Sequence, residues 1–195
     1  MTRRITVALG AMLLPLIVAA QAPAATEPSK GGAGGFAPEV ARAEDAVRDL
    51  QGELGKRLAE ALRDGGPGAA IAVCRDEAPK LTAEIAARNG IRLGRTSDRL
   101  RNPRNAPPAW AVPYLSAMSG KRTREVSPQV VDLGHSIGVL RPIEVRSACT
   151  SCHGAPGQLA RNVKEALGRL YPSDHATGYA EGDLRGFFWA EVPRR

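Results

Sequence analysis

The residues best equipped for chemistry are Cys149, Cys152 and His153, within Cys149-Thr150-Ser151-Cys152-His153. Two thiols three positions apart followed at once by an imidazole is the spacing for covalent attachment of a c-type haem. The thiols add to the two vinyl groups as thioethers, and the adjacent histidine is carried beneath the iron as an axial ligand. With three Cys and three His in 195 residues, chance supplies this pattern only about 0.0007 times per chain. A redox dithiol would follow a thioredoxin-type strand and leaves His153 without a role. A zinc site would need a distant fourth ligand.

The opposite face of the iron calls for a second ligand, and the candidates are Cys74, His135, His175 and Met118. Small cytochromes c place the motif early and a methionine ligand after it. Here 42 residues follow His153 and none is Met, so that order is excluded. With Cys149 and Cys152 occupied, Cys74 has no disulfide partner, lies on an apolar helical face and belongs to a chain that reads as exported, where a free thiol is vulnerable to oxidation. The residues alone leave two readings of Cys74, an iron ligand or a plain buried cysteine acting as a small hydrophobe. His135 lies in a strand-rich stretch and His175 in a polar turn, so both read as structural or exposed.

The elements that must position these groups are visible as periodicity. Pro38 suits a first helical position, and Val40, Ala43, Val47, Leu50, Leu54, Leu58 and Ala61 recur at steps of three and four until Gly65 and Gly66. A second helix is predicted from Pro67 to Asn89, with Ile71, Cys74, Ala78, Leu81 and Ile85 on one face. Pro79 removes a donor inside it and should kink the chain just after Cys74. A short strand over residues 91–96, a proline loop over 101–108 and a brief helix over 110–118 follow. Val126 to Val145 reads as antiparallel strands broken by Pro128 and Pro142, Leu159 to Leu170 as a helix and 184–192 as a last strand. The pattern predicts an α+β fold, helices flanking an antiparallel sheet.

The N-terminus begins with Arg3 and Arg4, continues with the 15-residue apolar run Ile5 to Ala19 and ends in small residues. That order marks residues 1–20 as a signal peptide, with cleavage after Ala20 and a periplasmic or otherwise exported destination. The run is too short for a spanning helix, so no membrane span is expected in the mature chain. Residues 21–37, rich in Gly and Pro, read as a flexible linker, and 38–195 as a single domain. The chain carries 27 basic and 20 acidic residues. The arginines are scattered without a basic run, which argues against nucleic acid as a partner. A 43% apolar, 24% charged composition excludes a disordered polyampholyte.

Several blocks in order, Ala70-Ile71-Ala72-Val73-Cys74 with Ala78-Pro79, Arg95-Thr96-Ser97, Arg101-Asn102-Pro103, Asn105-Ala106-Pro107, Cys149 to Gly154, Tyr171-Pro172 with Asp174, and Ala176-Thr177-Gly178-Tyr179 with Gly182 to Gly186, run from about residue 40 to 192. In these the chain resembles the PAS-like c-type haem family, whose structural type is a cyanobacterial haem protein of His/Cys ligation. The resemblance implies a PAS-like antiparallel sheet flanked by helices, one covalent haem c, and His153 with Cys74 on the iron. One departure is the aromatic run Phe187-Phe188-Trp189.

The expected function is that of an exported monohaem cytochrome acting in electron transfer or as a redox or gas sensor, with a separate redox or signalling protein as its partner. With both axial positions filled there is no open site for a substrate, and a thiolate ligand should hold the potential low by favouring the ferric state. The alternatives are a peroxidase-like enzyme, for which His135 is the candidate distal acid–base residue, and a four-helix cytochrome with its motif near the C-terminus. Arg101 and Arg104, on the stiff proline loop, are expected near the two haem propionates, because carboxylates are well met by fork-shaped guanidinium groups.

Overall fold

The computed structural model describes residues 33–194. The segment read as a signal peptide and residues 21–32 of the linker lie outside the described residues. Ala33–Phe36 forms a 3-10 turn, and the Phe36 ring packs on the core with the Arg194 guanidinium 4.9 Å above it.

Helix α1 (Ala37–Ala72) is interrupted at Gly66, whose φ of 69° and ψ of −169° divide it in two, with Pro67 opening the second segment. Only glycine takes that backbone conformation cheaply, and proline at the next position needs no amide partner. A π turn (Val73–Glu77) leads into α2 (Ala78–Asn89), which ends on the left-handed Gly90. The kink expected from Pro79 is therefore a π turn. Pro79 cannot donate to Arg75, and the amide of Ala78 reaches back five residues to the Val73 carbonyl.

Strand β1 (Arg92–Thr96) is followed by the proline loop and α3 (Val112–Met118). Strands β2 (Gln129–Asp132) and β3 (Ser136–Glu144) form a hairpin. The one-turn helix α4 (Thr150–His153) and α5 (Arg161–Leu170) precede the last strand, β4 (Leu184–Pro193). The sheet order is β1-β4-β3-β2, every neighbour antiparallel. Pro142 does not break the strand as expected but lies within β3. The ladder with β2 ends at Leu140, so Pro142 falls where β3 is an edge, the position that tolerates a missing donor.

The two faces of the sheet have different partners. Leu93, Ile137, Val139, Phe188, Ala190 and Val192 pack against Ala43, Ala46, Val47 and Leu50 of α1 and Ile85 of α2. The two alanines let the helix approach closely, and each fully buried Leu, Ile or Phe contributes about 1.5–3 kcal/mol. Leu140, Leu184 and Phe187 face the other way, onto Ala111, Leu115 and Trp110. The aromatic run is accommodated by Gly94, where a Cβ would lie 2.6 Å from the Trp189 ring. The result is α+β, an antiparallel sheet flanked by helices as the resemblance implies, and the four strands overturn the four-helix alternative.

Candidate cofactor site

A cavity of about 500 Å³ opens where α1 and the π turn meet the ends of β1, β3 and β4 and the Cys149–His153 segment. That volume lies within the range of about 300–1,000 Å³ usual for small-molecule and cofactor sites. Leu54, Leu58 and Phe188 supply apolar wall. Cys74, Cys149 and His153 all line it, so Cys74 meets residues 75 or more positions away in sequence on one concave surface.

A 3-10 turn (Ser147–Cys149) and α4 carry the motif, tightened by the Thr150 hydroxyl donating to the Ser147 carbonyl at 2.7 Å and the Ser151 hydroxyl to Ala148 at 2.8 Å. The helical turn sends its two sulfurs to different neighbours. Cys149 rests against the Val145, Ala176 and Tyr179 cluster, and Cys152 against the cluster of Ile71, Leu159 and Val163. All three cysteines are free, and burial pushes the Cys152 thiol pKa up.

The His153 ring is held by its Nδ1, 2.7 Å from the Ala176 carbonyl. A carbonyl accepts only, so Nδ1 carries the proton and Nε2 keeps its lone pair, the arrangement that prepares a histidine for a metal. Burial first, then the Arg185 and Arg101 guanidinium groups, hold the imidazole pKa well below its ordinary 6.5, so the ring is neutral at physiological pH. Tyr179 stacks edge-on against it, with ring centres 6.3 Å apart, and the Tyr179 amide donates to the His153 carbonyl at 2.9 Å.

Arg101 is buried, and its guanidinium is engaged. It pairs with the equally buried Asp174 at 3.1 Å and donates to the carbonyls of Cys152 at 2.6 Å and Ala176 at 3.2 Å. Asp174 in turn accepts the Ala176 amide at 2.8 Å. This network ties the motif to the carbonyl that orients His153. Arg101 also lines the cavity, its Nε and Nη2 being the atoms that these contacts engage. Arg104 is exposed and absent from the lining, because the 3-10 turn of the proline loop (Pro103–Asn105) turns it outward.

Of the four candidates for a second ligand, only Cys74 lines the cavity, delivered by the π turn. His135 is exposed between β2 and β3, His175 is exposed beside Leu100, and Met118 packs beneath the opposite face of the sheet. Among the described residues no group of three or more His, Cys, Asp or Glu is placed to hold a bare metal ion. Arg95, Arg185, Thr96 and Tyr171, which carry no motif of their own, also lie on the cavity wall. Burial, followed by the nearness of Cys74, pushes the Tyr171 phenol up to about 12. The one signal for them in the sequence was their place within or beside the blocks that carry the family resemblance, since their burial cannot be read from spacing.

Comparison with known proteins follows the same lines. A family model described as Tll0287-like matches residues 33–193. Among solved structures, the crystal structure of the cyanobacterial haem protein Tll0287 superimposes with a TM-score of 0.57 at 26% identity, covering 85% of this chain and 98% of that one. A comparison with curated proteins finds no match.

Proposed function

The chain belongs to the Tll0287-like family, and from that premise we propose that it is an exported, non-enzymatic c-type haem protein that exchanges electrons or senses redox state. The observation that carries this reading is the meeting of Cys74, Cys149 and His153 on one cavity. Cys74, Cys149 and His153 on the wall fit the group, and Cys152 lies one helical turn from Cys149, beside the cavity and not on its lining. The lone pair on Nε2 of a neutral, Nδ1-anchored His153 and the sulfur of Cys74 are the donors that would hold the iron. Cys149 and Cys152 would carry the thioether links. When bound, the haem would supply a one-electron Fe(III)/Fe(II) couple.

The chain's own residues do the rest. Leu54, Leu58 and Phe188 give the wall its apolar part, and the Ala176 carbonyl keeps the His153 proton on Nδ1. A thiolate donor favours the oxidised iron and sets a low potential. The exposed position of His135, outside the cavity, disfavours the peroxidase-like alternative, which requires it as a distal acid–base group. Export rests on the charged, apolar, small order of residues 1–20, and N-terminal sequencing of the secreted chain beginning at Gln21 is the expected result.

The test is spectroscopic. The purified protein should give the pyridine haemochrome of a covalently attached haem and a low-spin thiolate-type ferric signal. Cys74→Ser should keep the covalent haem, lose that signal and raise the midpoint potential, while His135→Ala changes neither. Should Cys74→Ser keep the native ferric spectrum and His135→Ala lose it, the ligand assignment is wrong.

A further inference from the structure

Charge on the cavity wall is one-sided. Its side chains include Arg95, Arg101, Arg146 and Arg185 against a single carboxylate, Glu144. Arg101 is neutralised by Asp174, and Arg146 and Glu144 are exposed to solvent. Arg95 and Arg185 remain. Neither ion-pairs with a carboxylate among the described residues, and burial is the main influence on both guanidinium groups, lowering their pKa values. A partly desolvated cation without a counter-ion is costly, and two facing one cavity are costlier.

The backbone is built to place them there. Arg95 sits near the end of β1, opposite Phe188. Arg185 is the extra residue of a β-bulge: Ile143 pairs with Gly186 and Glu144 with Leu184, which leaves Arg185 without a partner across the ladder. Bulges of this kind re-aim a side chain. The turn depends on Gly186, whose φ is +149° and whose missing Cβ would lie 2.2 Å from the Thr96 carbonyl oxygen. A third polar group lies on the same wall. Thr96 is 4% exposed, lines the cavity, and its Oγ1 has no hydrogen-bond partner.

We infer that Arg95 and Arg185, assisted by the Thr96 hydroxyl, are the anchor for the two carboxylates of the bound haem. This rests on the haem reading above and adds residues of the sheet to the propionate role expected of Arg101, which shares the wall, while Arg104 is exposed and off it. Two guanidinium groups and a hydroxyl match two carboxylates in charge and in donors, and they release the cost of burying unpaired cations.

The test uses the purified haem-loaded protein, with midpoint potential measured across pH and the propionate bands followed by resonance Raman. Carboxylates held by guanidinium groups stay ionised in both oxidation states, so the wild-type potential is expected to be level from about pH 6 to 8. Arg95→Gln and Arg185→Gln should each make the potential fall with rising pH across that window and shift a propionate band. Arg95→Lys and Arg185→Lys should keep most of the wild-type profile. The other titratable groups on the wall or facing these two arginines are Glu144, Tyr171, Cys74, Cys149 and His153, with Tyr179 and Asp174 beside Arg185, and all are the same in every variant. Level profiles and unshifted bands in both Gln variants overturn the proposal, as does a wild type that already slopes as steeply as the variants. If a Gln variant loses its haem, the Lys variant at that position decides, and loss there too marks a packing role and refutes the anchor. A wild type without covalent haem refutes the haem reading itself, which the haemochrome distinguishes from failure of the anchor alone.

Discussion

Replacing Arg101 with Met keeps most of the aliphatic stem and removes the guanidinium. The pair it breaks is buried, with side chains 8% and 9% exposed and an N–O distance of 3.1 Å. Three carbonyl or carboxylate acceptors lose their donor at once: Asp174, Cys152 and Ala176. Asp174 is left as a buried carboxylate with the Ala176 amide among its partners. Breaking a buried pair from one side costs about 3–5 kcal/mol, against about 0–1 kcal/mol for an exposed pair such as Arg48–Asp45. In a domain of this size each kcal/mol moves the unfolding midpoint by about 2–4 °C, so a fall of about 6–20 °C is expected. Far-UV circular dichroism on heating measures it. The double variant Arg101→Met with Asp174→Leu should regain much of the loss, because the uncompensated charge leaves with its partner. A single variant within about 3 °C of wild type, or a double variant no better than the single one, refutes the view of this pair as a buried electrostatic clamp.

Gly186→Ala should cost at least about 2 kcal/mol, since the new Cβ would meet the Thr96 carbonyl at 2.2 Å in a backbone conformation at φ +149°; urea unfolding reads this, and a neutral variant would mean that the bulge relaxes freely. The buried Tyr171 phenol, raised to about 12, favours the neutral form in the folded state. Its contribution is therefore complete below the unfolded value of about pH 10 and disappears as pH climbs from there towards about 12. Burial also raises Tyr114, so phenolate absorbance should show late titration whose latest part vanishes in Tyr171→Phe, and a uniform titration near pH 10 would contradict the burial argument.

Local chemistry and periodicity were sufficient for much of this protein. The three- and four-residue steps from Val40 to Ala61 dictate a helix, Gly66 and Pro67 dictate its interruption, and Pro79 dictates a disturbance beside Cys74, because each acts through backbone bonds within a few residues. The motif at Cys149, Cys152 and His153 is local in the same sense, its spacing being set by one helical turn. Tertiary structure alone decided the rest. Whether Cys74, His135, His175 or Met118 shares a cavity with His153 depends on which elements pack together, and the π turn places Cys74 on that cavity's wall. The arginines follow the same rule. A guanidinium serves whatever lies across space from it, so Arg101, legible as a cavity residue, is engaged by Asp174 some 73 positions away. Arg95 and Arg185, unremarkable in the sequence, become the unpaired cations of the site because a bulge and a strand end aim them into it.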